Sequence, residues 1–134
     1  MIVLDASVVL KWLFEDEDGV LRAARLKDGH VSGEETVAVP DLLFYEIGNV
    51  LATKTRISDE DIAEAFSLLW DFSLERFDFG LEDYLGALDL SRRYRITLYD
   101  AAYVELSRRL KTRFVTADRK LYEKIKDMKT VELL

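Results

Sequence analysis

The first seven residues, Met1-Ile2-Val3-Leu4-Asp5-Ala6-Ser7, form an apolar run that stops on a carboxylate. Ile2, Val3 and Leu4 are consecutive β-formers without polar alternation, the pattern of a strand buried on both faces as in a parallel sheet. Asp5 then falls at the strand's carboxyl end, where open α/β sheets bind their ligands. Downstream, apolar residues 7–14 predict a short helix, and Glu15-Asp16-Glu17-Asp18-Gly19 predicts a solvated acidic loop without chemistry of its own. Residues 20–27 predict a second helix closed by Asp28-Gly29, which leaves His30 in a loop. Thr36-Val37-Ala38-Val39 predicts a strand, and Pro40-Asp41 the start of a helix reaching about Lys54. In that helix Leu43, Ile47, Val50 and Leu51 define the buried face, with Glu46 at its margin.

Ser58-Asp59-Glu60-Asp61 is a helix-start signature, and Ile62, Phe66, Leu69 and Trp70 mark one face of the helix that follows. With its predecessor it forms an apolar helical hairpin suited to a dimer surface. Residues 76–79 predict a strand, and Gly80 precedes a helix carrying Leu81, Leu85 and Leu88 that ends in Arg92-Arg93-Tyr94-Arg95. Leu98-Tyr99-Asp100-Ala101-Ala102-Tyr103 opens another helix. Phe114-Val115-Thr116 predicts a strand, Asp118 precedes a basic helix over 119–126, and residues 130–133 a last strand. Strands and helices alternate throughout the 134 residues, so the fold class is α/β, one domain over 1–134 with a parallel sheet and helices on both faces.

Composition narrows the chemistry. There is no cysteine and a single histidine, which excludes disulfides and zinc-thiolate sites. A metal must then be held by oxygen, favouring Mg²⁺ or Mn²⁺. No apolar run reaches the length of a membrane span, and no leader pattern opens the chain, so the expected location is cytoplasmic. The net charge of −7 is uneven: residues 1–91 hold 7 basic and 20 acidic side chains, residues 92–134 hold 12 and 6. The acidic total argues against indiscriminate nucleic-acid binding, while the basic carboxy-terminal third can supply a local patch.

Three acids occupy equivalent places in this pattern. Asp5 follows the first strand, Asp118 follows the strand 114–116, and Asp100 opens a helix. Parallel strands bring all three to one sheet edge, and Glu46 joins them from one turn inside its helix. Individually Asp100 and Asp118 also read as helix caps and Glu46 as a partly exposed helix residue. Asp5 resists the bland reading, because a lone buried charge is costly. Four converging carboxylates repel one another unless a divalent cation relieves the conflict, and such an ion suits phosphate chemistry without a histidine base.

Taken together, Ile2-Val3-Leu4-Asp5-Ala6-Ser7, Pro40-Asp41-Leu42 with Tyr45-Glu46-Ile47-Gly48-Asn49, Tyr99-Asp100-Ala101-Ala102-Tyr103 and Val115-Thr116-Ala117-Asp118 resemble the PIN-domain ribonucleases, above all the VapC-like toxins of toxin–antitoxin pairs. The resemblance spans essentially the whole chain. It implies a three-layer α/β/α fold with a central parallel sheet of about five strands. It also implies Mg²⁺- or Mn²⁺-dependent cleavage of RNA, inhibition by a small VapB-like antitoxin, and a homodimer or higher homo-oligomer. Carried onto this chain, Asp5, Glu46, Asp100 and Asp118 match the acidic metal site, and Ser7 and Thr116 match hydroxyl positions beside it. Asn49 lies one turn from Glu46. Arg92, Arg93, Arg119 and Lys120 are candidates for phosphate contacts. The alternatives are a PIN nuclease of RNA processing or decay without an antitoxin and, from a different class, a phospho-receiver-like or binding module. The receiver reading lacks paired acids after the first strand and a lysine after a late one. An aspartyl-phosphate hydrolase would carry a second Asp where Ser7 stands.

The chain has no Gln and one Asn amid abundant Glu, Lys and Arg, a profile of thermophilic proteins. A calorimetric melting midpoint above the mesophile range of about 45–65 °C is expected; a midpoint inside it would remove the thermophilic assignment.

Overall fold

The computed structural model describes residues 1–14 and 19–134, so the acidic segment 15–18 lies outside the described residues. The chain runs β1 (Ile2–Leu4), α1 (Ala6–Leu13), α2 (Val20–Ser32), β2 (Val37–Pro40), α3 (Leu42–Thr53), α4 (Asp59–Asp71) and β3 (Glu75–Phe77). It continues through α5 (Leu81–Tyr94), α6 (Leu98–Arg109), β4 (Phe114–Thr116), α7 (Arg119–Ile125) and β5 (Val131–Leu133). The five strands form one all-parallel sheet in the order β3-β2-β1-β4-β5. Ile2, Val3 and Leu4 are fully buried at its centre, as a double-sided strand requires.

From β1 the chain steps to β2 and β3 on one side, then returns to β4 and β5 on the other. Because parallel crossovers are right-handed, the two directions put α1 to α4 on one face and α5 to α7 on the opposite face. The result is the three-layer α/β/α sandwich. The strand order reverses between β1 and β4, and the crevice outside their carboxyl ends is the topological switch point. Helix α6 packs under β1, β2 and β4 and so ties that crevice to the core.

Several local expectations are corrected. Helix α2 runs through Asp28 and Gly29 to Ser32, and Gly33, at φ +82°, is the residue that ends it. His30 is therefore a helical residue, not a loop residue. Its Nδ1 accepts from the Val37 N–H at 3.0 Å, which leaves Nε2–H to donate to the Phe72 carbonyl at 2.8 Å. The ring thus pins the end of α2 to β2 and to the end of α4, and this tertiary bridge carries the helix past its glycine. Pro40 belongs to β2, in register with Phe77. Asp41 does not cap α3: its backbone is already helical, so its side chain is turned away from the free N–H groups and pairs with Arg76 at 3.6 Å. Ser58 does cap α4, accepting from the Asp61 N–H at 3.1 Å.

On α5 the leucines at 81, 85 and 88 are exposed, and Ala87 and Leu90 face inward. The reason is close packing: a Cβ on Gly86 would fall 2.4 Å from Oε1 of the buried Glu105 on α6, which Arg108 holds through two 2.9 Å hydrogen bonds. Only small residues let the helices approach so closely. In the α3–α4 hairpin, Phe44 meets Phe66 and Trp70 edge-on, while Tyr45, Leu68 and Trp70 remain exposed. Among the described residues no helix is long and apolar enough to cross a membrane.

His30→Ala removes both bridging hydrogen bonds and leaves a buried-strand N–H without its acceptor. A loss of about 1–3 kcal/mol in urea unfolding is expected, against little change if the ring were a surface group.

Candidate active site

Each candidate acid is placed by the element that carries it. Asp5 follows β1 and accepts from the Val8 N–H as the N-cap of α1. Asp118 follows β4 and caps α7, its Oδ1 accepting from the Leu121 N–H at 3.1 Å. Asp100 is not a cap. Thr97 takes that role, its Oγ1 accepting from the Asp100 N–H at 3.0 Å, so the Asp100 carboxylate is free to face the crevice. Glu46 sits one turn into α3, which starts where β2 ends.

Asp100 is the group through which the acids meet electrostatically, since its charge acts on both Asp5 and Glu46 and that of Asp118 acts on it. Asp5 is 5% exposed, and burial pushes its carboxyl up to about 7, with the Asp100 charge adding to the rise. Hydrogen bonds from Ser7, Thr116 and the Val8 N–H oppose that rise. Burial raises Glu46 and then Asp100 raises it further, against the hydrogen bond from Tyr103. Asp100 is raised first by burial and next by the charge of Asp118, while Thr97 and Lys124 lower it. Burial and then Glu46 lift the Tyr103 phenol well above its usual value, so it remains a neutral donor.

Around Asp5 the hydroxyls form a rigid brace. Ser7 Oγ donates to Oδ1 and Thr116 Oγ1 to Oδ2, both at 2.5 Å. The brace is itself anchored, since Ser7 Oγ accepts from the Ala117 N–H at 2.9 Å and Thr116 Oγ1 from the Asp118 N–H at 3.1 Å. One network thus links the end of β1 to the turn after β4. On the other side, the Tyr103 hydroxyl donates to Glu46 Oε1 at 2.6 Å and joins α6 to α3.

Lys120 lies with Asp100 and Asp118 in a hollow of about 130 Å³ that Arg95, Thr97 and Lys124 also line. Arg93 is held by Asp89 at 2.8 Å and lines a different hollow, Arg92 and Arg119 are exposed, and Asn49 is exposed on α3 outside the hydrogen-bonded cluster. Tyr103 and Lys124 are the site residues that the sequence alone does not single out. Their signal was spacing: Tyr103 one turn after Asp100, and Lys124 one turn after Lys120.

The donor set is oxygen alone, and Asp5, Glu46 and Asp100 are each raised by burial and by a neighbouring negative charge, which suits a hard divalent cation. Among the described residues no three acids are grouped as ligands of a single ion as their side chains stand. Mg²⁺ fits that arrangement, because it commonly takes one or two carboxylates and completes its shell with water and phosphate oxygens.

An all-parallel α/β/α sandwich with acids from four separate elements at its switch point defines the class. The PIN domain family model matches residues 2–127, and the chain belongs to that family. Within it, the chain is 30% identical over 128 residues to Ribonuclease VapC3 of Pyrobaculum aerophilum, covering 92% of this chain and 93% of the relative. Two solved structures share the fold. One is VapBC2 from Rickettsia felis bound to a DNA fragment from its promoter, with a TM-score of 0.73 at 16% identity over 100% of this chain and 99% of that one. The other is a toxin–antitoxin complex from Klebsiella pneumoniae, with 0.71 at 12% identity over 98% and 96%. The chain is thus a VapC-like PIN domain.

Between about pH 4 and pH 7 native Asp5 keeps a proton that the unfolded chain has released, so stability contributed at this site falls as pH rises through that window and is level above it. Asp5→Asn removes the ionisation. In EDTA the variant is expected to match or exceed the wild type at pH 8, by up to a few kcal/mol, with the difference shrinking towards pH 4. Mn²⁺ is expected to raise the melting point of the wild type and not of the variant. A large destabilisation with an intact response to Mn²⁺ would make Asp5 structural.

Proposed function

We propose that this chain is a metal-dependent endoribonuclease of the VapC toxin type, held inactive by a small VapB-like antitoxin and acting as a homodimer or higher homo-oligomer. The observation that carries this reading is the gathering of Asp5, Glu46 and Asp118 around Asp100, with hydroxyl donors fixing Asp5 and Glu46. Such a cluster is chemistry for phosphate. The family membership and the similarity to a ribonuclease and to toxin–antitoxin complexes support it.

In this reading Asp5, Asp100 and Asp118 hold a Mg²⁺ or Mn²⁺ ion, directly or through water. The ion, when bound, polarises the phosphodiester and stabilises charge on the leaving oxygen. Ser7 and Thr116 fix the orientation of the Asp5 carboxylate. Glu46, set by the Tyr103 hydroxyl, is placed to orient and deprotonate the attacking water. Its raised pKa makes it a better base than an exposed glutamate. Lys120 and Lys124 offer positive charge beside Asp100 and Asp118, where an RNA backbone approaches an otherwise acidic surface. Attack by water, not by the ribose 2′-hydroxyl, leaves a 5′-phosphate and a 3′-hydroxyl. The exposed apolar side chains of the α3–α4 hairpin suit burial in an oligomer.

The test is cleavage of end-labelled, mixed-sequence single-stranded RNA. Cutting in Mn²⁺ or Mg²⁺ that stops in EDTA is expected, with Asp5→Asn slower by at least about 100-fold and Ser7→Ala by about 10- to 100-fold. Cutting that survives EDTA or the Asp5 substitution would overturn the assignment.

A further inference from the structure

Beside the acid crevice lies a second, chemically different hollow. It has a volume of about 400 Å³ and opens where β2 and β3 end, between α5 and α6. Its walls include four aromatic rings, Phe77, Phe79, Tyr84 and Tyr99, and its polar side chains include the carboxylates of Asp41 and Asp78. Phe79 and Tyr84 meet edge-on at 5.6 Å, while Tyr84 and Tyr99 are 51% and 60% exposed. The two tyrosine rings are therefore open to an occupant, while Phe77 and Phe79 form the floor that packs against the core.

Position ties this hollow to the acids. Tyr99 precedes Asp100 on α6, Ala102 of the lining precedes Tyr103, and Leu42 of the lining stands one turn before Glu46 on α3. The polar lining also selects. Asp41 is committed to Arg76, whereas Asp78 is exposed and its side chain has no hydrogen-bond or ion-pair partner among the described residues. A carboxylate accepts and cannot donate, so the occupant must present N–H groups to it. Guanine offers N1–H and N2–H side by side, matching both oxygens of one carboxylate, whereas adenine and cytosine offer one amino group on that edge and uracil one N–H between two repelling carbonyls.

The geometry points to a base-recognition pocket in which these aromatic rings stack one unpaired RNA base beside the scissile phosphate and Asp78 accepts the paired donors of a guanine edge. This assignment rests on the nuclease reading above. Aromatic stacking of a splayed base with hydrogen bonding to its edge is how proteins read single-stranded RNA in general, and here one acidic side chain sets the preference.

The test uses fluorescein-labelled octauridylate and the same octamer with one guanosine, adenosine or cytidine. Binding is read by anisotropy in EDTA and cleavage separately in Mn²⁺. The guanosine octamer is expected to bind the wild type roughly tenfold more tightly than octauridylate, with adenosine and cytidine between them. Asp78→Asn is expected to collapse that preference towards unity, and Tyr84→Ala, at an exposed position, to weaken all four octamers by about tenfold. Equal affinities in the wild type, no binding of any octamer, or a guanosine preference that survives Asp78→Asn overturns the pocket. A Tyr84→Ala protein that binds RNA normally but changes mass in light scattering also overturns it, and makes the hollow a seat for a second copy. Guanosine preference without cleavage keeps the pocket and removes the nuclease; cleavage without preference does the reverse.

Discussion

The structure depends on one costly placement, a carboxylate at the end of the central strand with both oxygens enclosed by protein. Asp5 is braced by hydroxyls from either side of the switch point, and the brace is anchored on the backbone after β4. Even with those donors its carboxyl sits near 7. Hydrogen bonding fixes where the charge is without making the charge welcome. Neutral residues of similar volume would pack there at less cost, so stability alone does not account for Asp5.

The same logic extends to the neighbouring acids. Helix α6 spans three strands, and its first two turns deliver Asp100 and Tyr103 to the crevice. Tyr103 is buried and permanently protonated, so its only service to Glu46 is donation. The position of α6 depends in turn on α5, which approaches closely because Gly86 leaves room for the Glu105–Arg108 pair. Packing on one face of the sheet thus governs electrostatics at its edge.

Burial and openness divide the edge into two regions of different chemistry. Around Asp100 and Asp118 the edge carries carboxylates, with Lys120 and Lys124 beside them. Towards β3 it turns aromatic and exposed. Both regions draw on the same helices, α3 and α6, so a shift of either helix moves the acids and the aromatic wall together.

The fold class and the candidate acids could be read from local patterns in the chain. The alternation of apolar strands with amphipathic helices is a local property, so the parallel sheet, a first strand buried on both faces and four acids on separate elements were all legible. What remained hidden depended on distance along the chain. Whether Asp100 caps its helix was decided by Thr97, and whether α2 ends at Gly29 was decided by a histidine bridge to elements 7 and 42 residues away. Thr116 beside Asp5, 111 positions away, was reached through the family resemblance, whereas the meeting of Tyr103 with Glu46 across 57 was not foreseen. The exposed leucines of α5 and the aromatic hollow belong to the same group. Pairings of this kind leave no periodic trace in the sequence, because they are fixed by how helices pack across the sheet and not by the propensity of any one segment.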